Sequence, residues 1–120
     1  MRKVLVAAAL ATFLGGGMAA QEQDVQEIGN GVTSPVLIKE VKPKYTEGAM
    51  RRKVEGVVEL SVVVKKDGDT GDMHVTRSLD AELDVQAMKA VEEWKFRPGK
   101  KDGQPVNVRV NIEMTFTLKK

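Results

Sequence analysis

The last part of the chain contains a thirteen-residue stretch, 106–118, in which apolar and polar residues alternate without interruption. The even positions are all apolar: Val106, Val108, Val110, Ile112, Met114, Phe116 and Leu118. The odd positions are all polar: Asn107, Arg109, Asn111, Glu113, Thr115 and Thr117. A period of two residues is typical of a β-strand with one buried face. At about 3.3 Å per residue such a strand extends roughly 40 Å, so part of its edge needs either a partner or protection.

Two helices are predicted upstream of this strand. Thr46 is a suitable N-cap for a short helix over 47–53, with Ala49, Met50 and Val54 as its expected buried contacts. Asp80 is a suitable N-cap for the main helix, over about 81–95. The apolar residues of that segment recur at helical spacing: Leu83, Ala87, Val91 and Trp94.

Two further strands are predicted between the helices. Residues 57–65 have one apolar face, formed by Val58, Leu60, Val62 and Val64, and one mixed face. A turn rich in aspartate follows at 67–72, and residues 73–79 return as the second strand. One helix laid across a sheet covers both apolar surfaces economically. We therefore expect an α+β fold of order α-β-β-α-β, with a small three-stranded antiparallel sheet packed by one main helix plus the short N-terminal helix.

The first twenty residues have the layout of a secretory signal peptide. Arg2 and Lys3 form a positive start, 4–14 is apolar except for Thr12, and 15–20 supplies small residues for cleavage. The alternative is a short inner-membrane anchor, because the 17 residues of 4–20 are at the low limit for a membrane span. The division that follows is 1–20 as signal peptide or anchor, 21–34 as a flexible leader and 35–120 as one domain.

Composition excludes several classes of function. The chain has no cysteine, and without Arg2 and Lys3 its 19 basic residues become 17, against 17 acidic residues. A neutral domain with one Trp and one Tyr lacks the charge pattern of a nucleic-acid-binding protein. His74 is the only histidine, and no nucleophile–base set can be assembled around it. We predict no catalytic residue, no cofactor, no small-molecule substrate and no metal site, since the 67–72 turn lacks the closing glutamate of an EF-hand loop.

The edge of the long strand is the feature left for function. An open edge accepts an added strand from a partner through main-chain hydrogen bonds. The alternative is an edge that the chain itself protects, either by covering it with residues 35–41 or by blunting it with Arg109 and Glu113. Pattern alone leaves both interpretations open.

The chain resembles the C-terminal domain of TonB energy transducers over about residues 35–118. The resemblance is carried by these segments in this order: Lys42-Pro43-Lys44-Tyr45, Val54-Glu55-Gly56-Val57-Val58, Lys66-Asp67-Gly68, then Ala87, Ala90 and Val91 before Trp94-Lys95-Phe96-Arg97-Pro98-Gly99, and Gly103-Gln104-Pro105-Val106. It implies a periplasmic, non-enzymatic domain of the Gram-negative cell envelope. In the family this domain captures a short N-terminal peptide, the TonB box, of outer-membrane receptors, and the peptide pairs with the last strand.

The resemblance supplies the candidate binding residues. The family's contact segment before the first helix corresponds to Lys42, Pro43, Lys44 and Tyr45. The strand contribution corresponds to Val106, Asn107, Val108, Arg109, Val110, Asn111 and Ile112. The implied partner is an outer-membrane TonB-dependent receptor.

Two departures from the family argue against coupling to the ExbB–ExbD motor. Residues 4–20 carry no polar helix face beyond Thr12, and no proline precedes Pro35, so a Pro-rich spacer is lacking. Thr46 also replaces the proline that commonly follows the tyrosine in the family. The expected function is peptide binding by strand addition in TonB-dependent transport. The alternative is a structural or assembly module that pairs with itself as a homodimer, or with another protein, through the long strand.

Overall fold

The computed structural model describes residues 24–118, in ten elements. In chain order they are β1 (Val25–Gln26), β2 (Val36–Lys39), α1 (Glu47–Arg51), β3 (Gly56–Val64), β4 (Thr70–Arg77), α2 (Ala81–Glu92), β5 (Lys95–Arg97), β6 (Lys100–Lys101), β7 (Gln104–Pro105) and β8 (Asn107–Phe116). No helix within this range has the length and apolar character needed to cross a membrane. The predicted signal peptide lies outside the described residues.

The main sheet has the strand order β1–β8–β3–β4. Strands β8, β3 and β4 are antiparallel neighbours, and the β3–β8 register runs from Gly56 opposite Phe116 to Val64 opposite Val108. These three strands confirm the expected α+β sheet. The fourth strand, β1, was not expected: it pairs in parallel with the start of β8, with Val25 opposite Asn107 and Gln26 opposite Val108.

The core lies between α2 and one face of this sheet. Four side chains of β3 are fully buried, Val58, Leu60, Val62 and Val64, and so are Leu83, Ala87 and Val91 of α2. The even positions of β8 complete the cluster through Ile112, Met114 and Phe116. The alternation in 106–118 is therefore confirmed as the pattern of a half-buried strand.

Both helices begin where the sequence predicts and end earlier. The Asp80 carboxylate accepts the backbone N–H groups of Glu82 and Leu83 at 3.0 and 3.2 Å, and Thr46 Oγ1 accepts that of Ala49 at 3.1 Å. Helix α2 ends at Glu92 rather than 95, because the chain leaves the helix to place Lys95–Arg97 in β5. The expected burial of Met50 is wrong: α1 is only five residues long, buries Ala49 alone and leaves Met50 42% exposed.

Residues 36–39 form a separate two-stranded ribbon with β5. Val36 lies opposite Arg97 and Leu37 opposite Phe96. The Trp94 indole Nε1–H donates to the Val41 carbonyl at 2.8 Å and ties the end of this segment to the core. The alternative in which residues 35–41 cover the last strand is therefore wrong, because their strand pairs with β5.

Residues 24–34 are more structured than the flexible leader that the composition of 21–34 predicts. Besides β1, Gly29 and Val32 exchange backbone hydrogen bonds at 3.2 and 3.0 Å, and Val32 is only 6% exposed. Thr33 N–H donates to the Lys100 carbonyl at 2.9 Å. Polar composition conceals these contacts, because they are mostly main-chain hydrogen bonds that impose no side-chain pattern.

Candidate functional site

The two edges of β8 differ. One edge pairs with β3 along nearly the whole strand. The other edge is covered by β1 at Asn107 and Val108 only. From Arg109 to Phe116 that second edge has no main-chain partner within residues 24–118. This uncovered stretch, which we call the open edge, offers the main-chain donors and acceptors that strand addition needs.

The first three strand candidates are already engaged within the chain. Val106 N–H donates to the Gly99 carbonyl at 3.0 Å. The Asn107 side-chain Oδ1 accepts the Lys66 N–H at 2.9 Å, and Asn107 and Val108 pair with β1. The remaining candidates, Arg109 to Ile112, lie on the open edge. The structure thus divides the candidate strand into a covered start and an open continuation.

The side chain of Arg109 points across the sheet, away from the open edge. Its guanidinium donates to Ser61 Oγ on β3 at 2.8 Å and to Asp72 Oδ2 on β4 at 2.9 Å. Ser61 is 6% exposed, so this contact satisfies a buried hydroxyl. Arg109 therefore does not blunt the edge, and the main chain there stays accessible.

The other candidate segment lines a groove. Lys42, Pro43 and Lys44 form one wall of a cavity of about 260 Å³. The opposite wall comes from one stripe of α2 and its C-cap: Gln86, Lys89 and Ala90, with Glu93 directly after the helix. Three ammonium groups and one carboxylate line this groove, so it favours an acidic or neutral ligand over a basic one.

Tyr45 does not line the groove. Its hydroxyl donates to the Val54 carbonyl, and its ring meets Phe116 edge-on with centroids 5.5 Å apart. Desolvation, helped by the charge of Glu55, raises the pKa of the Tyr45 hydroxyl. Tyr45 therefore packs against the far end of β8 and links the groove segment to that strand.

The aspartates of the 67–72 turn are used in three separate contacts. Asp67 Oδ1 accepts the Asp69 N–H at 2.9 Å, Asp69 pairs with Lys95 Nζ at 2.6 Å, and Asp72 pairs with Arg109. The Lys95 ammonium lowers the pKa of the Asp69 carboxyl. Within residues 24–118, no three His, Cys, Asp or Glu side chains cluster as metal ligands.

Sequence reasoning missed two parts of this region. The pairing of Val25 and Gln26 with β8 gave no signal, because two residues are too few to show a period. The α2 wall of the groove did leave a trace: Gln86, Lys89 and Glu93 recur at helical spacing as a polar stripe. What the sequence did not reveal is that residues 42–44 lie against that stripe.

Sequence comparison relates most of the chain to a known family. Residues 41–118 match the family described as Gram-negative bacterial TonB protein C-terminal. Protein TonB of Vibrio cholerae is 34% identical over 89 residues, covering 72% of this chain and 36% of that protein. Protein tonB2 of Pseudomonas aeruginosa is 38% identical over 77 residues, covering 63% of this chain and 28% of that protein. The chain thus spans about a third of the length of these relatives.

Solved structures of low sequence identity share the fold. The solution structure of the Pseudomonas aeruginosa TonB C-terminal domain superposes with a TM-score of 0.61 at 23% identity, covering 79% of this chain and 95% of that one. The Helicobacter pylori TonB C-terminal domain (residues 194–285) gives 0.51 at 24% identity, covering 66% and 84%.

Proposed function

The chain belongs to the TonB C-terminal family, and from this premise we propose that it binds an extended peptide of an outer-membrane TonB-dependent receptor by strand addition to β8. The observation that carries the proposal is the open edge from Arg109 to Phe116. The peptide supplies a new strand beside β8, and main-chain hydrogen bonds provide most of the affinity. The role is binding in TonB-dependent transport, without catalysis.

The groove contributes a second contact in this proposal. Lys42 and Lys44 lie with Lys89 around a concave surface, where an acidic side chain of the ligand gains charge-assisted hydrogen bonds. Tyr45 takes part indirectly, because its contact with Phe116 holds this segment against β8. The open edge then provides affinity, and the groove provides selectivity for the ligand's charge.

Residues 1–20 direct this domain to the periplasm in the proposal, by export through a cleaved signal peptide. An uncleaved segment would instead anchor it to the inner membrane, which is the form that coupling to ExbB–ExbD would require. The mass of the exported protein separates the two forms. A product that begins near Ala20 supports the signal peptide, and a product that retains residues 1–20 supports the anchor.

A test of strand addition uses synthetic peptides from the N-termini of outer-membrane TonB-dependent receptors. Two versions are N-methylated at alternate residues, one at even and one at odd positions. Only one set of methyl groups faces β8, because successive N–H groups of a strand point to opposite edges. We expect that version to bind at least about tenfold more weakly, since each lost main-chain hydrogen bond costs about 1 kcal/mol.

The other N-methylated version is the matched control, and we expect it to bind like the unmodified peptide. Fluorescence anisotropy of labelled peptides gives both affinities. Equal affinity for all three versions, or no binding of any receptor peptide, would contradict strand addition.

A second candidate function is pairing with another copy of the chain along the same edge. An antiparallel dimer centred on Asn111 would place Arg109 of each copy opposite Glu113 of the other, and opposite charges across a strand pair are favourable. Arg109 already bonds Ser61 and Asp72, which opposes this exchange. Sedimentation equilibrium tests this pairing. A dimer that dissociates when receptor peptides are added supports self-pairing at the open edge, and a protein that stays monomeric at high concentration excludes it.

A further inference from the structure

The ribbon formed by β2 and β5 presents apolar side chains to solvent. Val36 and Ile38 are 49% and 60% exposed, and Leu37 between them is 38% exposed. In the β2–β5 register Val36 lies directly opposite Arg97, whereas Leu37 lies opposite the buried Phe96. The outer face of the ribbon therefore combines aliphatic side chains from β2 with a cation from β5.

Positive charge is concentrated around this ribbon. Residues 36–44 and 95–101 together hold seven basic side chains and one acidic one, Glu40. Lys95 pairs with Asp69. The other six make no ion pair with any residue in 24–118: Lys39, Lys42, Lys44, Arg97, Lys100 and Lys101.

The rest of the described chain has the opposite charge. Residues 24–118 hold 15 basic and 16 acidic side chains, so outside the two segments 8 basic residues stand against 15 acidic ones. The domain is nearly neutral in total and strongly polarised. Such a distribution orients a molecule near a charged surface, with the ribbon towards negative charge and the remainder away from it.

From this arrangement we propose that the β2–β5 ribbon, with Lys39, Arg97, Lys100 and Lys101, is a docking surface for an anionic phospholipid membrane. Short aliphatic side chains flanked by lysine and arginine suit shallow insertion at the headgroup level. The ammonium and guanidinium groups bind lipid phosphates while Val36 and Ile38 enter the acyl boundary.

Two other occupants fit less well. A second copy would bring two sets of six unpaired cations together, which is electrostatically unfavourable. A stable protein partner requires about 800 Å² on each side, whereas the exposed apolar part of this ribbon consists of three residues on a four-residue strand. A lipid membrane, in contrast, does not need a surface of complementary shape, and an apolar contact of this size is sufficient when lipid phosphates bind the surrounding cations.

The absence of cysteine from the chain makes this surface easy to test. We would introduce Ile38→Cys, label it with an environment-sensitive fluorophore and add vesicles of phosphatidylglycerol or of phosphatidylcholine to the full chain. The control is Val85→Cys on α2, an apolar position of comparable exposure at 43%. We expect a blue shift at position 38 with phosphatidylglycerol only, lost at high salt, and none at position 85.

Charge variants provide the second arm. Replacing Arg97, Lys100 and Lys101 by glutamine should weaken vesicle binding by about fivefold for each cation removed. Replacing Lys53, Lys65 and Lys66 by glutamine removes the same charge elsewhere and should leave binding unchanged. Two results would overturn membrane docking: equal shifts at positions 38 and 85, or equal effects of the two triple variants. A shift at position 38 that follows protein concentration without vesicles would also overturn it, and would indicate that a second copy covers the ribbon.

Discussion

The pairing of β1 with β8 predicts that the leader competes with any ligand that reaches the start of the open edge. Val25 and Gln26 occupy the main-chain groups of Asn107 and Val108, next to the stretch on which we propose that the peptide binds. The perturbation is the double variant Val25→Pro/Gln26→Pro, because proline has no N–H and cannot donate to a sheet. The matched control is Val25→Ala/Gln26→Ala, which removes the same side chains and keeps both N–H groups.

The expected magnitude follows from the size of the contact. A two-residue parallel pair contributes about two main-chain hydrogen bonds, each stabilising by about 0.5–1.5 kcal/mol. Ordering two leader residues costs about 1–2 kcal/mol each and offsets most or all of this gain. The net advantage of the leader is therefore at most about 1 kcal/mol, which corresponds to about a fivefold change in affinity.

The assay is a pair of titrations by calorimetry. A long receptor peptide that extends along Asn107 to Ile112 should bind the proline variant up to about fivefold more tightly than the wild type, with the alanine variant close to wild type. A short peptide that covers only Arg109 to Ile112 should show no difference. Unchanged or weaker binding of the long peptide to the proline variant would refute the competition.

Three further predictions concern stability. Gly68 has a φ of +90°, and a Cβ there would lie 2.2 Å from the Phe96 carbonyl oxygen, so Gly68→Ala should lower the free energy of unfolding in urea by about 1–3 kcal/mol. The control is Gly103→Ala, at a φ of +79° with nothing within 4 Å of the added Cβ, which should cost less. Equal losses in the two variants would contradict this. The Arg52 guanidinium lowers the pKa of the Asp80 carboxyl in the folded protein. The Asp80 carboxylate therefore stabilises the fold at pH values above the ordinary aspartate pKa, and this stabilisation is lost as the pH falls through the lower pKa of the folded state. The urea midpoint of the wild type should therefore fall more steeply below about pH 4 than that of Asp80→Asn, which keeps a capping side chain, and parallel curves would contradict this. Arg109→Ala leaves the buried serine hydroxyl on β3 without its partner and should cost about 1–3 kcal/mol in urea unfolding, whereas an unchanged midpoint would show that the contact stabilises nothing.

The elements with the strongest side-chain periodicity were predicted well from the sequence. Strand β8 and helix α2 each bury one face, and strand β3 buries one face completely and part of the other. Burial of one face imposes a period of two or of 3.6 residues on the amino acids. The caps at Thr46 and Asp80 were likewise visible, because a capping side chain must be one of a few polar residues. The existence and order of these elements followed from these signals.

The parts that were missed depend on main-chain contacts between distant segments. Strand β1 contributes two residues, and strand β2 contributes four that are all exposed, so neither carries a pattern of burial. The short strand β5 ended the main helix earlier than its apolar spacing indicated, because Trp94 is buried outside the helix. The binding candidates came from family resemblance, and their division into a groove and an edge depends on tertiary contacts that leave no mark on the sequence.

Amide hydrogen exchange along β8, followed by NMR with and without a receptor N-terminal peptide, tests the central claim most directly. We predict that the outward-pointing amides between Arg109 and Phe116 exchange rapidly in the free protein and at least about tenfold more slowly at saturating peptide. The amides of β4, the strand at the opposite edge of the same sheet, should not change. Saturable peptide binding that protects β4, or that leaves the amides of β8 as exposed as before, would contradict the account.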